Sequence, residues 1–417
     1  MKILIDDFLG ETLDLALKMK QSGHRVRWHI RRKNDEDIGD GMVEKAADPA
    51  KNYDWADLII LGDVGYGALY ERLKKTYPQK AILGGSRIAD QLENDRAFGC
   101  RIMDTLGIAI PSYQEFKSFD EGSKYIKDNN KRYVFKPFGQ LPRTLTYVSK
   151  GPEDMLRMME YFKKEWPHGK AVHFILQEFI DGIEIAVGAW FNGRNFIKPY
   201  MPNFEHKKMT NGDLGPNTGE MGCIIRYVDK SRLFEQVMAK MEAFLSMIEF
   251  TGYFDLNCIV TRKQAYVLEP TVRFGFPTIC IQDEVMNEDW ASFLRDLALG
   301  TAEGVNVQRD WCTGVSICCP PWPEESRAYN GMPVMFRKEN LLHWSDVKII
   351  NKEYCTAGNC GFIAIVCGTG PTVEASTLNA YKRIEASGIH IPNMFYRTDI
   401  GDRVIKSLKN LKEWGWL

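Results

Sequence analysis

The chain has 417 residues, 44% of them hydrophobic, with 54 Lys and Arg against 55 Asp and Glu and a formal net charge of −1. That length predicts two or three domains, each with a core large enough to need no disulfides. Near-balanced charge excludes a general nucleic-acid or membrane-surface footprint, and no apolar run reaches the roughly 20 residues that cross a bilayer.

The opening Met1-Lys2-Ile3-Leu4-Ile5-Asp6-Asp7 is too short an apolar run for a signal peptide, and acids follow it at once. Residues 2–5 read as a buried strand, 11–21 as a helix ended by Gly23, and 24–28 as the next strand. Further strands at 57–62 and 81–86 flank a helix that runs through Lys74. Strands alternating with helices predict a parallel, doubly wound sheet over residues 1–87. Gly10 stands alone, so there is no dinucleotide-binding glycine fingerprint. Residues 88–105 read as one charged helix, closed by Gly107 and Pro111.

A mixed α+β stretch follows. Residues 133–137 form a strand with an internal lysine, and 173–179 a strand expected to pair with 183–192 across Asp181-Gly182. Residues 203–222 are polar and Gly-rich without periodicity, the mark of a long functional loop. A helix is expected over 230–249, then strands 253–261 and 265–269 joined by Arg262-Lys263-Gln264. The remainder holds short strands, a helix over 373–387 and a lysine-rich final helix whose charge is a solvated face. Ten cysteines without a secretory signal predict free thiols in a reducing cytoplasm. Neither Cys318-Cys319 nor the Cys355/Cys360 pair has a second pair at zinc spacing, and the seven histidines are scattered.

Three features carry chemistry. Strand alternation puts Asp255 and Asn257 on one face, and Glu269, Thr271 and Arg273 on one face of the next strand. Hard oxygen ligands of this kind suit Mg²⁺ held with nucleotide phosphates, or equally a polar, half-exposed hairpin. The turn Gln177-Glu178-Phe179-Ile180-Asp181-Gly182-Ile183-Glu184 can meet a purine edge and ribose hydroxyls, or be structural. Lys136, inside an apolar strand, needs a partner such as a phosphate unless it lies at a sheet edge.

The order of these features resembles the ATP-grasp ligases, and particular words resemble the phosphoribosylamine–glycine ligases (glycinamide ribonucleotide synthetases). Gly215-Pro216-Asn217-Thr218-Gly219-Glu220-Met221-Gly222 is similar to that family's GPNTGGMG loop, and Glu205-His206-Lys207-Lys208 to its QDHKR stretch. Leu268 to Pro277 resembles LEFNxRFGDPE, residues 84–98 resemble the segment joining the first two domains, and residues 396–401 resemble YRRDIG. The resemblance implies ATP, Mg²⁺ (or Mn²⁺), and an amide made through an acyl phosphate from small-molecule amine and carboxylate substrates. It implies a cytoplasmic monomer or homodimer. It places Lys136, Arg96 and Arg143 on the phosphates, Gln177, Glu178 and Ile180 at adenine, and Glu184 at ribose. Asn257, Glu269, Thr271 and Asp255 would serve the metal. His206, Lys207 and Arg273 would face the acyl phosphate, and Asn217, Thr218 and Gly219 the amine.

Four departures stand out. The glycine-rich GGREH segment, which in that family helps hold a sugar phosphate, is replaced by Asp6-Asp7-Phe8-Leu9-Gly10-Glu11-Thr12. Prolines replace glycines in the loop at 137–146, Thr271 stands where an asparagine ligand is usual, and RFGDPE reads Arg273-Phe274-Gly275-Phe276-Pro277-Thr278. The resemblance implies ligation of the phosphoribosylamine-plus-glycine kind in purine synthesis; the departures keep open a ligase for a different amine and acid pair, or a non-catalytic nucleotide-binding relative. The expected architecture is an α/β domain over 1–87, an ATP-grasp domain over 88–305 with a lid near 112–190, and a mixed α+β domain over 306–417.

Overall fold

A computed structural model describes residues 1–138, 145–166, 169 and 171–417. Fully apolar runs such as Ile3-Leu4-Ile5 and Leu58-Ile59-Ile60 are buried on both faces, as the strands of a covered parallel sheet must be. They belong to β1 (Lys2–Asp7) and β4 (Leu58–Leu61), joined by β2 (Arg25–Ile30), β3 (Glu44–Lys45) and β5 (Ala81–Leu83). The order is β3-β2-β1-β4-β5, all parallel, with α1 (Leu13–Gln21) and α2 (Gly67–Thr76) as crossovers.

The helix expected over 88–105 is two, α3 (Arg87–Asn94) and α4 (Arg96–Thr105). Asp95 breaks it because its carboxylate accepts from Phe98 N and caps the second helix. A four-stranded antiparallel sheet follows, of β6 (Tyr113–Phe116), β7 (Tyr133–Pro137), β8 (Tyr147–Val148) and β9 (Phe174–Glu178), in the order β6-β9-β7-β8. Helices α5 (Phe119–Asn129) and α6 (Pro152–Glu165) cover it through an aromatic core. There Phe135 lies 4.5 Å from Phe162 and 4.8 Å from Phe174, ring centre to ring centre.

The largest sheet has eight strands. Those from the middle of the chain are β10 (Ile183–Phe191), β11 (Phe196–Glu205), β14 (Gly222–Ile225), β15 (Gly252–Val260) and β16 (Ala265–Thr271). Those from its last third are β17 (Trp311–Cys318), β18 (His343–Trp344) and β21 (Phe362–Gly370), in the order β16-β15-β10-β11-β14-β17-β21-β18. The sheet therefore runs across residue 305 without a break. Two ribbons, β12 (Lys208–Thr210) with β13 (Leu214–Asn217) and β19 (Val347–Ile350) with β20 (Glu353–Thr356), stand apart from it. Helices α7 (Glu242–Met247), α8 (Thr278–Val285), α9 (Trp290–Ala298), α10 (Val373–Ser387) and α11 (Asp402–Glu413) complete the chain.

Three local expectations are corrected. β9 and β10 do not pair: both edges of β9 are taken by β6 and β7, so the chain steps into the other sheet, where β15 receives β10. The stretch 203–222 is the end of β11 and a small ribbon rather than an open loop. The helix over 230–249 is irregular, with a wide turn at Phe234–Met238 that brings Phe234 over Tyr200, ring centres 3.5 Å apart. All ten cysteines are free thiols, and among the described residues no helix is long and apolar enough to cross a membrane.

Candidate active site

A cavity of about 1010 Å³ opens between the four-stranded and eight-stranded sheets. Val134 and Val148 project from one sheet, and Ile259 and Val267 from the other, into an apolar slot. Gln177, Glu178 and Ile180 rim it. Gln177 is buried, and the Glu178 carboxylate is held by Lys131 at 3.0 Å, so the backbone of this turn is the part turned to a ligand.

Strand register dictates the polar wall. Asn257 pairs with Glu269 across β15 and β16 and with Ala186 on β10, which in turn pairs with Asn203 on β11. Paired residues of antiparallel strands point to the same face, so Glu184, Glu205, Asn257 and Glu269 converge. Asn257 Nδ2 donates to Glu184 Oε1 at 3.2 Å and to Glu205 Oε2 at 2.8 Å. Its Oδ1 is buried, and among the described residues it has no hydrogen-bond partner. Lys207 Nζ lies 3.0 Å from Glu205 Oε2 and 3.0 Å from Glu269 Oε1. Lys207, with Lys136 and Arg96 behind it, holds the Glu269 carboxyl well below the usual carboxylate range.

Beside Glu269 lie two further cations, Lys136 and Arg96. Lys136 is buried, and neither it nor Arg96 has an ion-pair partner among the described residues. Burial, reinforced by Arg96, pushes the Lys136 ammonium down to about 8. Two adjacent cations that make no direct ion pair among the described residues have the chemistry to take an anion.

Thr271 lines the cavity, and so do Asn217, Thr218 and Gly219. Thr218 anchors its turn by donating from N and Oγ1 to Lys207 O, at 2.7 and 2.9 Å. Arg273 lines the cavity too, but three carboxylates surround it: Glu93 at 3.0 Å, Asp63 at 3.2 Å and Glu11 at 3.6 Å.

Two expected site residues, Asp255 and His206, are not brought in. Asp255 lies one row below the cavity, buried, with its Oδ2 accepting from Asn203 Nδ2 at 2.7 Å and Tyr253 OH at 3.0 Å. Gly188 makes that row possible: a Cβ there would sit 1.7 Å from the Tyr253 hydroxyl. His206 alternates away from Glu205 and Lys207 and is fully buried, where it accepts from Gly401 N. Burial and the nearby Arg403 and Arg397 push its imidazole down to about 3, so it stays neutral. Arg143 lies outside the described residues.

Other groups belong to the site without having been foreseen. Glu205 shares the face of Asn203 two residues earlier, which alternation along β11 could have shown. Glu220 also lines the cavity, nearly completely buried at 4% exposure, with Oε1 lacking any hydrogen-bond partner among the described residues. Burial, and then Glu205, raise its carboxyl well above the ordinary range. Its signal was an acid inside a run of glycines. Arg403, from the final helix, approaches Glu184 at 3.6 Å. Arg397 of the Tyr-Arg-Thr-Asp-Ile-Gly motif is structural: buried, it donates to Asp399, to Asp213 Oδ1 at 2.8 Å and to Lys208 O at 3.0 Å.

The segment that builds this site is similar to known proteins. Residues 94–279 match the phosphoribosylglycinamide synthetase ATP-grasp (A) domain family. A curated phosphoribosylamine–glycine ligase of Streptococcus pneumoniae is 25% identical over 427 aligned positions, spanning 97% of this chain and 100% of the relative. The crystal structure of phosphoribosylamine–glycine ligase from Thermotoga maritima shares the fold with a TM-score of 0.73, at 20% identity over 96% of this chain and 100% of that one. Biotin carboxylase from Campylobacter jejuni, in a complex with ATP, shares it with a TM-score of 0.65, at 12% identity over 98% of this chain and 95% of that one.

Proposed function

We propose that this chain, a divergent phosphoribosylglycinamide-synthetase-like ATP-grasp protein, is an ATP-dependent, ADP-forming carboxylate–amine ligase, a C–N ligase of the kind its relatives are named for. The observation that carries the reading is the polarity of one cavity. A pair of cations without direct ion pairs among the described residues, Lys136 and Arg96, sits beside a convergent set of oxygen ligands between two sheets.

In this reading adenine occupies the apolar slot and meets the backbone of Glu178 and Ile180, with Gln177 beside it. Glu184 receives the ribose hydroxyls. Lys136 and Arg96 hold the phosphates. Glu269 and Asn257, whose orphaned buried Oδ1 fits a hard cation, would hold Mg²⁺ or Mn²⁺, with Thr271 and Glu205 alongside. The ion when bound supplies positive charge against the phosphate oxygens. Lys207 is placed to follow the transferring phosphoryl group, since its two carboxylate partners are the ones such an ion engages. A substrate carboxylate attacks the γ-phosphorus, giving an acyl phosphate and ADP. The amine then attacks the acyl carbon, the C–O bond to phosphate breaks, and an amide and inorganic phosphate leave. Orientation and electrostatics suffice, and no covalent enzyme intermediate is required.

The relatives' names supply the first pair to try, phosphoribosylamine with glycine, the C–N ligation of purine synthesis. A changed amine is the second reading, favoured by the Asp7 carboxylate in the turn after β1. Small-molecule substrates, a cytoplasmic location and a monomer or homodimer complete the proposal. ADP release from Mg·ATP with amine and acid pairs tests it, with Glu269→Ala as the blank. Pair-dependent release that Glu269→Ala abolishes supports it. ATP binding with no release under any pair favours the non-catalytic alternative.

A further inference from the structure

Two separate features shape the part of the cavity away from Lys136 and Arg96. The first is the turn between β1 and α1, whose Leu9 and Glu11 line the cavity. Backbone N–H groups converging at the start of a helix are where an anion docks. Here they are already used. The Asp7 carboxylate accepts from Leu9 N and Gly10 N, each at 3.1 Å, and from Thr12 N at 2.7 Å. Thr12 Oγ1 closes the ring at 2.5 Å. The chain has built its own anion into the turn, and Asp7 is fully enclosed at 1% exposure.

The nearby arginines are also engaged. Arg273 is ringed by Glu11, Asp63 and Glu93. Arg32 is held by Asp35 and by Glu325 at 2.8 Å. Both are already paired with carboxylates.

The second feature is Glu220. It follows Gly219, whose Cα faces Trp322, and Trp322 packs on Phe362 with ring centres 5.0 Å apart. Phe362 N donates to Asp346, another buried carboxyl on the cavity wall. The Glu220 backbone is fixed by Ser316 Oγ, which donates to its carbonyl. Its side chain lies at 4% exposure on the cavity wall, with Oε1 unpartnered among the described residues. A buried acceptor without a donor is destabilising, so it calls for one from a ligand.

We infer that this end of the cavity receives a cationic amine that carries no phosphate, and that Glu220 is the residue that selects it by accepting from its ammonium. The inference rests on the ligase reading and narrows its amine substrate. A phosphate brought here would meet a turn already filled by Asp7 and arginines already paired with carboxylates. An ammonium would meet the open Oε1 of Glu220.

Binding beside nucleotide tests this without requiring turnover. The full chain, loaded with Mg²⁺ and a non-hydrolysable ATP analogue, is titrated calorimetrically with matched amines. The probes are ethanolamine against O-phosphoethanolamine, and ribosylamine against phosphoribosylamine. The expected result is that phosphate-free members bind at least tenfold more tightly than their phosphorylated partners. Glu220→Gln, which keeps the shape, should weaken them at least tenfold while leaving the affinity for the ATP analogue unchanged. The inference is overturned if the phosphorylated members bind as tightly or more tightly, if Glu220→Gln leaves amine affinity unaltered, or if no member binds. Failure of the ligase reading would look different: amines bind as expected, but Mg·ATP with amine and carboxylate releases no ADP.

Discussion

Replacing Asn257 by aspartate tests the oxygen cluster most directly. Its Nδ2 bridges Glu184 and Glu205 at 3.2 and 2.8 Å, and the substitution turns that bridge into a third carboxylate. A hydrogen bond to a charged group contributes about 1.5–3 kcal/mol. Glu184 and Glu205 are 34% and 22% exposed, so the lower end applies to each. Two lost bonds and screened repulsion then cost about 3–4 kcal/mol without metal. A divalent cation reverses the sign, because three converging carboxylates bind it more tightly. At a hundredfold excess over Kd it returns about 2.7 kcal/mol. Urea unfolding of native, Asn257→Asp and Asn257→Leu chains, with and without Mg²⁺, measures this. Asn257→Leu loses the same bonds and should gain nothing from Mg²⁺. If Asn257→Asp is as stable as the native chain without metal, or both variants respond equally to Mg²⁺, the cluster is a polar surface and the ligand assignment fails.

Three further outcomes are expected. Lys136→Met removes a buried ammonium that makes no direct ion pair among the described residues, so stability without ligand should rise by about 1 kcal/mol while ATP affinity falls at least tenfold; calorimetry and urea unfolding would have to move in opposite directions. The Asp346 carboxyl is pushed up to about 8 by burial and by Asp35, against 3.8 in an unfolded chain. Its contribution is fully present below 3.8 and lost as pH rises through 8, with a limiting slope of about 1.4 kcal/mol per pH unit. Asp346→Asn should therefore gain stability relative to the native chain from pH 5 to 8, and parallel pH profiles would refute this. Arg397→Ala strands the carboxylates of Asp213 and Asp399 and should cost about 3–5 kcal/mol, with Arg397→Lys unable to restore the forked geometry. A loss below 1 kcal/mol in urea unfolding would show the clamp to be incidental.

What could be read from the residues followed local rules. The alternation of short apolar runs with amphipathic stretches announced the parallel sheet. The hairpin of β15 and β16 was legible because period-2 alternation needs no knowledge of the rest of the chain. Lys136 was conspicuous as a charge in an apolar strand. Other features depended on long-range pairing. Nothing between Phe179 and Gly182 says that β9 and β10 belong to different sheets; that follows from β6 and β7 occupying both edges of β9. Asp255 and Asn257 share a face, yet only Asn257 reaches the cavity, because Asn203 and Tyr253 claim Asp255 from neighbouring positions. His206 lay in a suggestive motif, but the period that exposes Glu205 and Lys207 hides the residue between them.

The eight-stranded sheet carries a practical lesson for anyone who would isolate the nucleotide-binding part. The segment matching the family, residues 94–279, ends before β17, so excising it cuts the ladder between β14 and β17. The bared strand, Gly222-Cys223-Ile224-Ile225, is buried at every position in the whole chain. An exposed apolar edge of that kind recruits other strands. A fragment trimmed to the recognisable family segment should therefore form soluble oligomers or precipitate, and extending it through residue 370, which brings in β17, β18 and β21, should restore a protected border.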